Sequence, residues 1–466
     1  MEMVRKKDPY APWYHLYTGA GWMNDPCGCN LYKGEYHIFF QYHERPEPLG
    51  PGKWYHMKSR DLQSWEELGI CLQPEFDYEK NGCWTGSSLE KDGIHYIFYS
   101  TNQDGRIPQQ QPGMAYSRDG IHYQKFNIGP VITEATPDGH LEMRDPKVFI
   151  RDGCWYLLQG ASRDGRGELV GYKSTDGIRW EYQGCFFSSE KWMGSMFECP
   201  DFFSIGDRDF LIISPMDWPG HKNVILCGKA DFETFTFRCD KIEDLDLGSD
   251  FYAAQSIRLK DGRVAVVGWL NSWGKPHPEV CGGWAGMLSC LRTVEYQEET
   301  GKVFFSPMKE MELHRIGRGI VENLHIAEDI LALEFLKGAH KEILIELPET
   351  RDSENVVMVL SVAGREETAV KLTLDFARNL ICVDKTKADR GDNSNLIYRC
   401  RLHKNRKLRL FIDGSALELF TGDGQVISER FYADTDELRV LLHCGQGQTA
   451  CRITSYDMGS LYRWEE

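Results

Sequence analysis

Short runs of apolar and aromatic residues, each preceded by a turn, recur along about the first 300 residues. The runs are KGEYHIFFQY from Lys33, DGIHYIFYS from Asp92, DGCWYLLQG from Asp152, GDRDFLIIS from Gly206 and DGRVAVVGW from Asp261. The second turn residue falls at positions 34, 93, 153, 207 and 262, so the intervals are 59, 60, 54 and 55. Alternation within the runs indicates half-buried β-strands, and no long stretch with a helical period competes with them.

A second pattern interleaves with the first. It reads SRDLQSW, SRDGIHY, STDGIRW and ADFETF, and its acids are Asp61, Asp119, Asp176 and Asp231, at intervals of 58, 57 and 55. A period of this length, filled by short strands and Gly/Asp turns, is typical of a propeller whose blades hold about four strands each. The five units therefore predict a five-bladed β-propeller around a central channel.

The repeat stops near residue 309. The segment KEMELHRIGRG indicates a short helix or linker, and the alternating runs after it, such as EILIELP and VVMVLSVAG, have the spacing of a sandwich. We predict an all-β protein with a propeller domain over 1–308, a linker over 309–324 and a C-terminal β-sandwich over 325–466.

Composition and charge narrow the possible partners. The formal net charge of −16 disfavours nucleic acid, and no apolar run approaches the length of a membrane span. The N-terminal residues show no apolar signal region, and the 15 cysteines are scattered, so we expect reduced thiols and a cytoplasmic location. Cys27 and Cys29 have no second ligand pair after them, so we expect no metal. The sequence indicates no oligomeric state.

Three acids stand at similar positions relative to the repeat. Asp25, in WMNDPCG, lies nine residues before the turn residue of its unit, Asp145 eight before and Glu198 nine before. An Asp-Pro step beside glycine is also common in turns, so Asp25 alone has a purely structural interpretation. Turn acids would not share a register, however, and we predict that all three face the channel mouth from innermost strands.

Acids that converge in this way suit glycoside cleavage. Neighbouring carboxylates raise each other's pKa, so that one stays protonated while another stays ionised, as a proton donor and a nucleophile require. The same register in the other two units holds Trp84, Thr85 and Tyr252. Further candidates for substrate contact flank the acids or offer aromatic faces to sugar rings: Asn24, Arg144, Cys199, Trp22, Trp54 and Trp284.

Three blocks, WMNDPCG, EMRDP and FECPD in that order, resemble the signature motifs of glycoside hydrolase family 32, the β-fructofuranosidases. The similarity extends to FFQYHE, WYHMKSRDLQSW, CWTGSS, FYAAQ and GGWAGMLS, and to FIDGSALELFTGDGQVISERFY near the C-terminus. The resemblance therefore covers nearly the whole chain. It implies a five-bladed propeller followed by a β-sandwich, a fructoside as small-molecule substrate, and no metal or other cofactor.

The resemblance also implies a retaining mechanism through a covalent fructosyl-enzyme. Asp25 would be the nucleophile, Glu198 the acid/base, and Asp145 the residue that stabilises the transition state by holding fructose hydroxyls. The positions that match the family's fructose subsite are Asn24, Gln41, Trp54, Ser87 and Arg144.

Three motifs depart from the family pattern, at four positions. Cys27 stands where asparagine is usual, Trp84 and Thr85 replace Phe-Ser, and Ala254 replaces a proline. None removes a carboxylate, so we expect the reaction class to be kept and the pocket rim around Cys27 and Trp84 to be altered.

Several activities remain open from the sequence. We expect hydrolysis of the terminal β-D-fructofuranosyl linkage of sucrose or short fructo-oligosaccharides. A sucrose-6-phosphate hydrolase would need a basic group beside the leaving sugar, for which His43, Lys53 and His56 are candidates. Fructosyl transfer would use the same residues. A non-catalytic sugar-binding propeller, or a related glycosidase acting on arabinose or xylose chains, fits the three acids and their contexts less well.

Overall fold

The computed structural model of the chain is built of β-strands joined by turns and four short 3-10 helices. It describes residues 4–5, 7–127, 129–347, 356–364, 367–388, 396–402, 406–433 and 435–464. Within these ranges, no helix has the length and apolar character needed to cross a membrane.

Twenty-two strands come from the first two thirds of the chain. They are β1 (Val4–Arg5), β2 (Gly21–Tyr32), β3 (Glu35–His43), β4 (Lys53–Ser59), β5 (Trp65–Leu72), β6 (Gly82–Lys91), β7 (Ile94–Asn102), β8 (Gln110–Ser117), β9 (Gln124–Lys125), β10 (Glu142–Arg151), β11 (Cys154–Arg163), β12 (Arg166–Ser174), β13 (Glu181–Ser188), β14 (Met196–Ile205), β15 (Arg208–Met216), β16 (Val224–Asp231), β17 (Thr236–Asp244), β18 (Tyr252–Arg258), β19 (Val264–Trp269), β20 (Trp284–Ala285), β21 (Arg292–Gln297) and β22 (Lys302–Pro307). Three 3-10 helices lie among them, at Asp77–Glu79, Lys191–Met193 and Pro278–Gly282.

Strands β2 to β22 form five sheets in chain order. The sheets are β2-β3-β4-β5, β6-β7-β8-β9, β10-β11-β12-β13, β14-β15-β16-β17 and β18-β19-β21-β22, and β20 adds a parallel strand beside β2. The first strand of each sheet contacts the first strand of the next, and β18 contacts β2. The five first strands therefore form a closed circle, and we call this unit the five-sheet ring.

Hydrophobic pattern explains the position of each strand in its sheet. The second strands, such as β15, are covered by neighbouring sheets on both faces, so Phe210 to Ile213 are all buried. The outer strands are partly solvated. The second sequence pattern makes the turn before the outer strand: the Asp119 carboxylate accepts hydrogen bonds from the N–H groups of Ile121 and His122, 2.8 and 2.9 Å away.

The remaining strands form two six-stranded sheets. They are β23 (Arg315–Ile326), β24 (Leu331–Lys337), β25 (His340–Glu346), β26 (Val357–Ala363), β27 (Thr368–Asp375), β28 (Leu380–Asp384), β29 (Ile397–Arg401), β30 (Lys407–Asp413), β31 (Ala416–Thr421), β32 (Val426–Arg430), β33 (Arg439–Gln446), β34 (Thr449–Met458) and β35 (Arg463–Trp464). Their orders are β23-β34-β25-β30-β31-β32 and β24-β33-β26-β27-β28-β29, while β35 pairs with β1. Both sheets contribute to one apolar core, so we call the two together the sheet pair.

The segment predicted as a linker is largely structured. A fourth 3-10 helix covers Lys309–His314, and β23 begins at Arg315 and pairs with β34. Strand β23 lies at the edge of its sheet and is mostly exposed, which explains why its sequence, RIGRGIVENLHI, lacks the apolar content of the inner strands.

The ring and the sheet pair meet across buried ion pairs. His15 contacts Asp413 at 2.7 Å and Glu418 at 2.8 Å, and Arg292 contacts Glu418 at 2.9 Å and Asp246 at 2.7 Å. Ligand atoms of His15, Cys290 and Glu418 lie within 4.8 Å of one another, but this network already engages them in ion pairs and hydrogen bonds. The group is accordingly explained as part of the interface.

Candidate active site

Each innermost strand of the ring carries one bulge at the same end. The pairing with the second strand slips between Met23 and Pro26, Trp84 and Gly86, Arg144 and Lys147, Glu198 and Asp201, and Tyr252 and Gln255. A bulge leaves one extra residue on its strand and turns side chains out of the regular alternation. The five bulges therefore aim a cluster of side chains at one mouth of the ring.

The three acids do not share one register. Asp25 and Asp145 directly precede a proline in their bulges, whereas Cys199 holds that position in the fourth sheet and Glu198 comes one residue earlier. Asp145 and Cys199 also share left-handed backbone, with φ of 60° and 48°. The number of residues between each acid and the following turn is misleading, because β2 has a second bulge after Cys27. This bulge adds one residue between Asp25 and its turn.

A cavity of about 540 Å³ opens at this mouth. It is lined by Asn24, Asp25, Gln41, His43, Pro48, Gly50, Asn81, Trp84, Thr85, Gln110, Arg144, Asp145, Glu198 and Trp273. The structure thus brings all three predicted acids and five of the predicted substrate-binding residues to one cavity.

Asp25 is held by one of its two carboxylate oxygens. Oδ2 accepts a hydrogen bond from the Thr85 hydroxyl at 2.9 Å, and the Cys199 thiol contacts it at 3.7 Å. Oδ1 is buried and has no hydrogen-bond partner among the described residues. Burial raises the pKa of Asp25, while the neighbouring Asn24 and Thr85 side chains oppose the rise and the charge of Glu198 adds to it. The Trp22 indole N–H holds the Asn24 side chain by donating a hydrogen bond to the Oδ1 atom of Asn24 at 2.9 Å.

Asp145 is buried and lines the cavity. Its Oδ2 accepts a hydrogen bond from the Cys199 N–H at 2.8 Å, and its own N–H donates to the Ser100 hydroxyl at 2.7 Å. Burial raises the pKa of Asp145 to about 7; Arg144 opposes this shift, and Glu198 adds to it. The cavity therefore carries less negative charge near neutral pH than three ionised acids would give.

Glu198 lies between a cation and a phenol. Arg144 Nε donates to Oε1 at 2.9 Å, and the Tyr252 hydroxyl donates to Oε2 at 2.5 Å. Arg144 also contacts the Met216 sulfur through Nη2 at 3.1 Å. Both carboxylate oxygens are thus oriented by donors, which fixes the direction in which Glu198 can exchange a proton.

Comparison with known proteins identifies the family. Residues 15–307 match "Glycosyl hydrolases family 32 N-terminal domain", and residues 318–457 match "Glycosyl hydrolases family 32 C terminal". The chain belongs to glycosyl hydrolase family 32. Sucrose-6-phosphate hydrolase of Zymomonas mobilis subsp. mobilis is 32% identical to this family 32 chain, over 94% of the chain and 90% of the relative.

Solved structures agree with this assignment. The family 32 beta-fructofuranosidase of Bombyx mori superposes with a TM-score of 0.84 at 26% identity, covering 99% of this chain and 96% of the other. A mutant of the Bombyx mori protein in complex with sucrose superposes with a TM-score of 0.83 at 26% identity, with the same coverage. This family 32 chain is accordingly a glycoside hydrolase with an all-β fold.

Three predicted substrate-binding residues lie outside the lining of the cavity. Trp54 is fully buried, and its indole N–H donates to the Trp84 carbonyl at 2.9 Å. The Ser87 hydroxyl donates to the Pro146 carbonyl at 2.7 Å and so joins two innermost strands. Trp284 donates to the Asp8 carboxylate at 3.0 Å, beneath the N-terminal segment. Each side chain supports the walls of the ring and does not face the cavity.

Two other predicted substrate-binding residues contact the acids but do not line the cavity. Cys199 contacts both Asp25 and Asp145, and Tyr252 contacts Glu198, although neither lines the cavity. These two residues hold the carboxylates in place. Their contacts are with the acids and not with the cavity.

The departures from the family pattern have separate structural explanations. Cys27 lies in an apolar cluster with Phe39 and does not line the cavity itself, but it contacts Gln41, which does. Trp84 does line the cavity, and Thr85 supplies a hydroxyl to Asp25. The N–H of Ala254 donates to Asn223 at 2.9 Å, a bond that a proline lacks.

Of the candidates for phosphate recognition, His43 and Lys53 are neighbours, since Lys53 pairs with Tyr42, whereas His56 lies apart in the core. His43 lines the cavity, and burial lowers its pKa. Lys53 pairs with Glu44 at 2.9 Å. His56 is fully buried and contacts His37 at 2.8 Å. Among the described lining residues, Arg144 is therefore the one permanent cation, and Glu198 already engages it.

Sequence reasoning missed the loop residues of the site. Pro48, Gly50, Asn81, Gln110 and Trp273 line the cavity, but they lie in connections or at strand ends where the repeat gives no signal. Trp273 is 48% exposed and stacks on Trp22 at 6.0 Å.

A larger cavity of about 830 Å³ opens at the other end of the same innermost strands. It is lined by the C-terminal halves of β2, β6, β10, β14 and β18, including Lys147 and Arg151. It contains none of the three acids, so size alone would misplace the chemistry.

Proposed function

We propose that this chain is a retaining β-fructofuranosidase that hydrolyses the terminal β-D-fructofuranosyl linkage of sucrose or short fructo-oligosaccharides. The observation that carries the proposal is the Asp25 carboxylate. One oxygen is fixed by Thr85, while the other is buried at the cavity without a partner among the described residues. Such an oxygen suits attack on an anomeric carbon.

The remaining roles follow from the environments of the other two acids. Asp25 Oδ1 attacks the anomeric carbon, and Glu198 gives its proton to the leaving oxygen. Glu198 then takes a proton from the water that cleaves the fructosyl-enzyme, which returns both residues to their starting state. Asp145 holds fructose hydroxyls in the cavity and strengthens these contacts as positive charge develops on the sugar.

The lining of the cavity favours an uncharged leaving sugar. A phosphate dianion needs a free cation beside it. Arg144 is engaged by Glu198, and burial disfavours the charged form of His43. We therefore place sucrose before sucrose 6-phosphate, although the latter names the activity of the Zymomonas relative.

We further infer that the five-sheet ring is a five-bladed propeller and that the sheet pair, from Arg315 onward, is a β-sandwich. The closed circle of innermost strands supports the first inference. A cytoplasmic location is supported by the 15 cysteines, all among the described residues and all free thiols.

The proposal is tested by measuring free fructose after incubation with sucrose, sucrose 6-phosphate and 1-kestose. Asp25→Asn keeps the size of the side chain but removes the nucleophile, so fructose release is expected to fall by about three orders of magnitude or more. Asp176→Asn, an acid of the repeat turn, is the matched control and is expected to stay active.

Three results would contradict the proposal: no fructose from any of these substrates, equal activity of Asp25→Asn and the wild type, or release from sucrose 6-phosphate alone. Addition of a sugar acceptor separates hydrolysis from transfer, because a transferase would make a new oligosaccharide in place of free fructose.

A further inference from the structure

Two tryptophans lie beside the cavity, and packing within the protein does not explain why one of them is largely exposed. Trp192 is 65% exposed, and its ring meets that of Trp218 edge to face at 5.6 Å. Among the tryptophan side chains that the structure describes, Trp192 and Trp273 are the two with large exposure, and Trp273 lines the cavity. An exposed indole offers an apolar face whose burial by a ligand is favourable. We call Trp192 and Trp218 the tryptophan pair.

The tryptophan pair lies next to β14, the strand of Glu198. Trp218 packs against His221 at 4.4 Å, and His221 contacts Asp244 at 2.6 Å. Trp192 belongs to the 3-10 helix that precedes β14, the strand of Glu198. The N–H of Ser195 donates to the Met216 carbonyl at 2.9 Å, which joins the loops of the two tryptophans.

Met216 connects the tryptophan pair to the cavity. The Met216 side chain is 38% exposed, and its sulfur contacts Arg144 at 3.1 Å. Arg144 in turn binds Glu198. Trp218 follows Met216 by two residues. Met216 therefore places the segments that carry the two indoles next to Arg144 and Glu198.

We propose that the tryptophan pair is a binding site for a sugar unit beyond the leaving residue, so that the chain takes neutral oligosaccharides of three or more units. This inference rests on the proposed function. The terminal fructose lies at Asp25, the second sugar lies at Glu198 and Arg144, and the third covers the exposed face of Trp192. Aromatic faces suit the apolar faces of sugar rings, and a tryptophan side chain, which has few rotatable bonds, loses little entropy on binding.

The test compares 1-kestose with sucrose in wild type, Trp192→Ala and Trp192→Phe. The ratio of kcat/KM for 1-kestose to that for sucrose is expected to fall about tenfold in Trp192→Ala. In Trp192→Phe, which keeps a ring, the ratio is expected to fall less. Leu313→Ala, which also removes an exposed apolar side chain (66% exposed) but lies in the helix after β22, is the matched control and is expected to keep the wild-type ratio.

An unchanged ratio in Trp192→Ala would overturn the inference, as would equal losses on both substrates in a folded variant. Absence of fructose release by the wild type would contradict the proposed function instead. In that case, 1-kestose binding to Asp25→Asn decides the inference: quenching of tryptophan fluorescence that disappears when Trp192→Ala is added supports it, and quenching that persists overturns it.

Discussion

Burying a single carboxylate in the cavity lowers the free energy of unfolding of this chain. Asp145 is buried, and its pKa is raised from 3.8 to about 7, because its charged form loses the solvation that it has in the unfolded chain. Proteins commonly give up stability at functional sites. The cavity acids are therefore expected to behave differently from the turn acids of the repeat, whose charged forms the fold stabilises.

Asp145→Asn is expected to stabilise the protein at alkaline pH while lowering activity. A raised pKa in the folded state means that the wild type loses stability as the pH rises from about 4 to about 7. The amide carries no such penalty and still accepts the hydrogen bond from Cys199. At pH 8 the gain in unfolding free energy should be on the order of a few kcal/mol, and near pH 4 it should vanish.

Urea denaturation of both proteins at pH 4 and pH 8 measures this gain. The control is Asp176→Asn, since N–H groups of Arg179 and Ile178 lower the pKa of Asp176. That variant should lose stability at neutral pH, the opposite sign. A less stable Asp145→Asn protein at pH 8 would refute the expectation.

At the scale of strands and sheets, the site depends on how closely adjacent sheets approach. Gly160, on β11, lies opposite Arg144, and a Cβ added there would stand 1.7 Å from the Phe197 carbonyl oxygen on β14. Only glycine allows this approach, because the obstacle is main chain and cannot rotate away. The neighbouring Glu198 therefore owes its position to a residue with no side chain.

Gly160→Ala is expected to lower both stability and activity. Overpacking at a main-chain contact costs about 1–3 kcal/mol, and the backbone shift moves Glu198 relative to Asp25. Thermal melting and kcat for sucrose check the two effects. Gly445→Ala is the control, since the nearest atom to its added Cβ is 3.8 Å away. Wild-type kcat in Gly160→Ala would show that the sheet spacing does not position Glu198.

The sequence predicts strands and sheet order well and side-chain directions less well. The period near 57 residues reflects one four-stranded sheet per repeat, and this pattern survives in the turn residues. The second bulge of β2 has no sequence signal, so the count that placed Glu198 level with Asp25 was off by one. Trp54 was predicted to face sugar, but an indole N–H can also pair with a carbonyl inside a wall.

On the scale of the whole molecule, the sheet pair is joined to the ring by charge as much as by apolar contact. His15 contacts two buried carboxylates, and burial opposes its charge, but Cys290, Asp413 and Glu418 together raise its pKa well above 6.5. Burial disfavours ionised Glu418, yet His15 and Arg292 hold its pKa at about 2. Each member of the network is stable only while the others are present.

His15→Ala is expected to lower the free energy of unfolding by about 3–5 kcal/mol, because it leaves two buried carboxylates with less compensation. The contribution of His15 is complete below pH 6.5 and is lost as the pH rises through its raised folded pKa. The difference in melting temperature from wild type should therefore narrow at alkaline pH.

Calorimetry from pH 6 upward measures this difference. The control is Arg60→Ala, which removes one member of the exposed pair with Glu35 and should leave the melting temperature unchanged. A His15→Ala protein as stable as wild type at pH 6 would show that the network contributes nothing to the junction.

The short strand β20 affects the order in which contacts form during folding. Trp284 pairs with Gly21, a residue 263 positions earlier (284 − 21), and this parallel pair lies where the fifth sheet meets the first. Contacts so distant in sequence form late, while each four-stranded sheet pairs locally as the chain leaves the ribosome. Asp25, Asp145 and Glu198 are all synthesised before Trp284, and so is β18, whose contact with β2 closes the circle of innermost strands. A nascent chain that stalls before β20 would therefore hold all three cavity acids and the closing strand, but it would lack the parallel pair that joins the fifth sheet to the first.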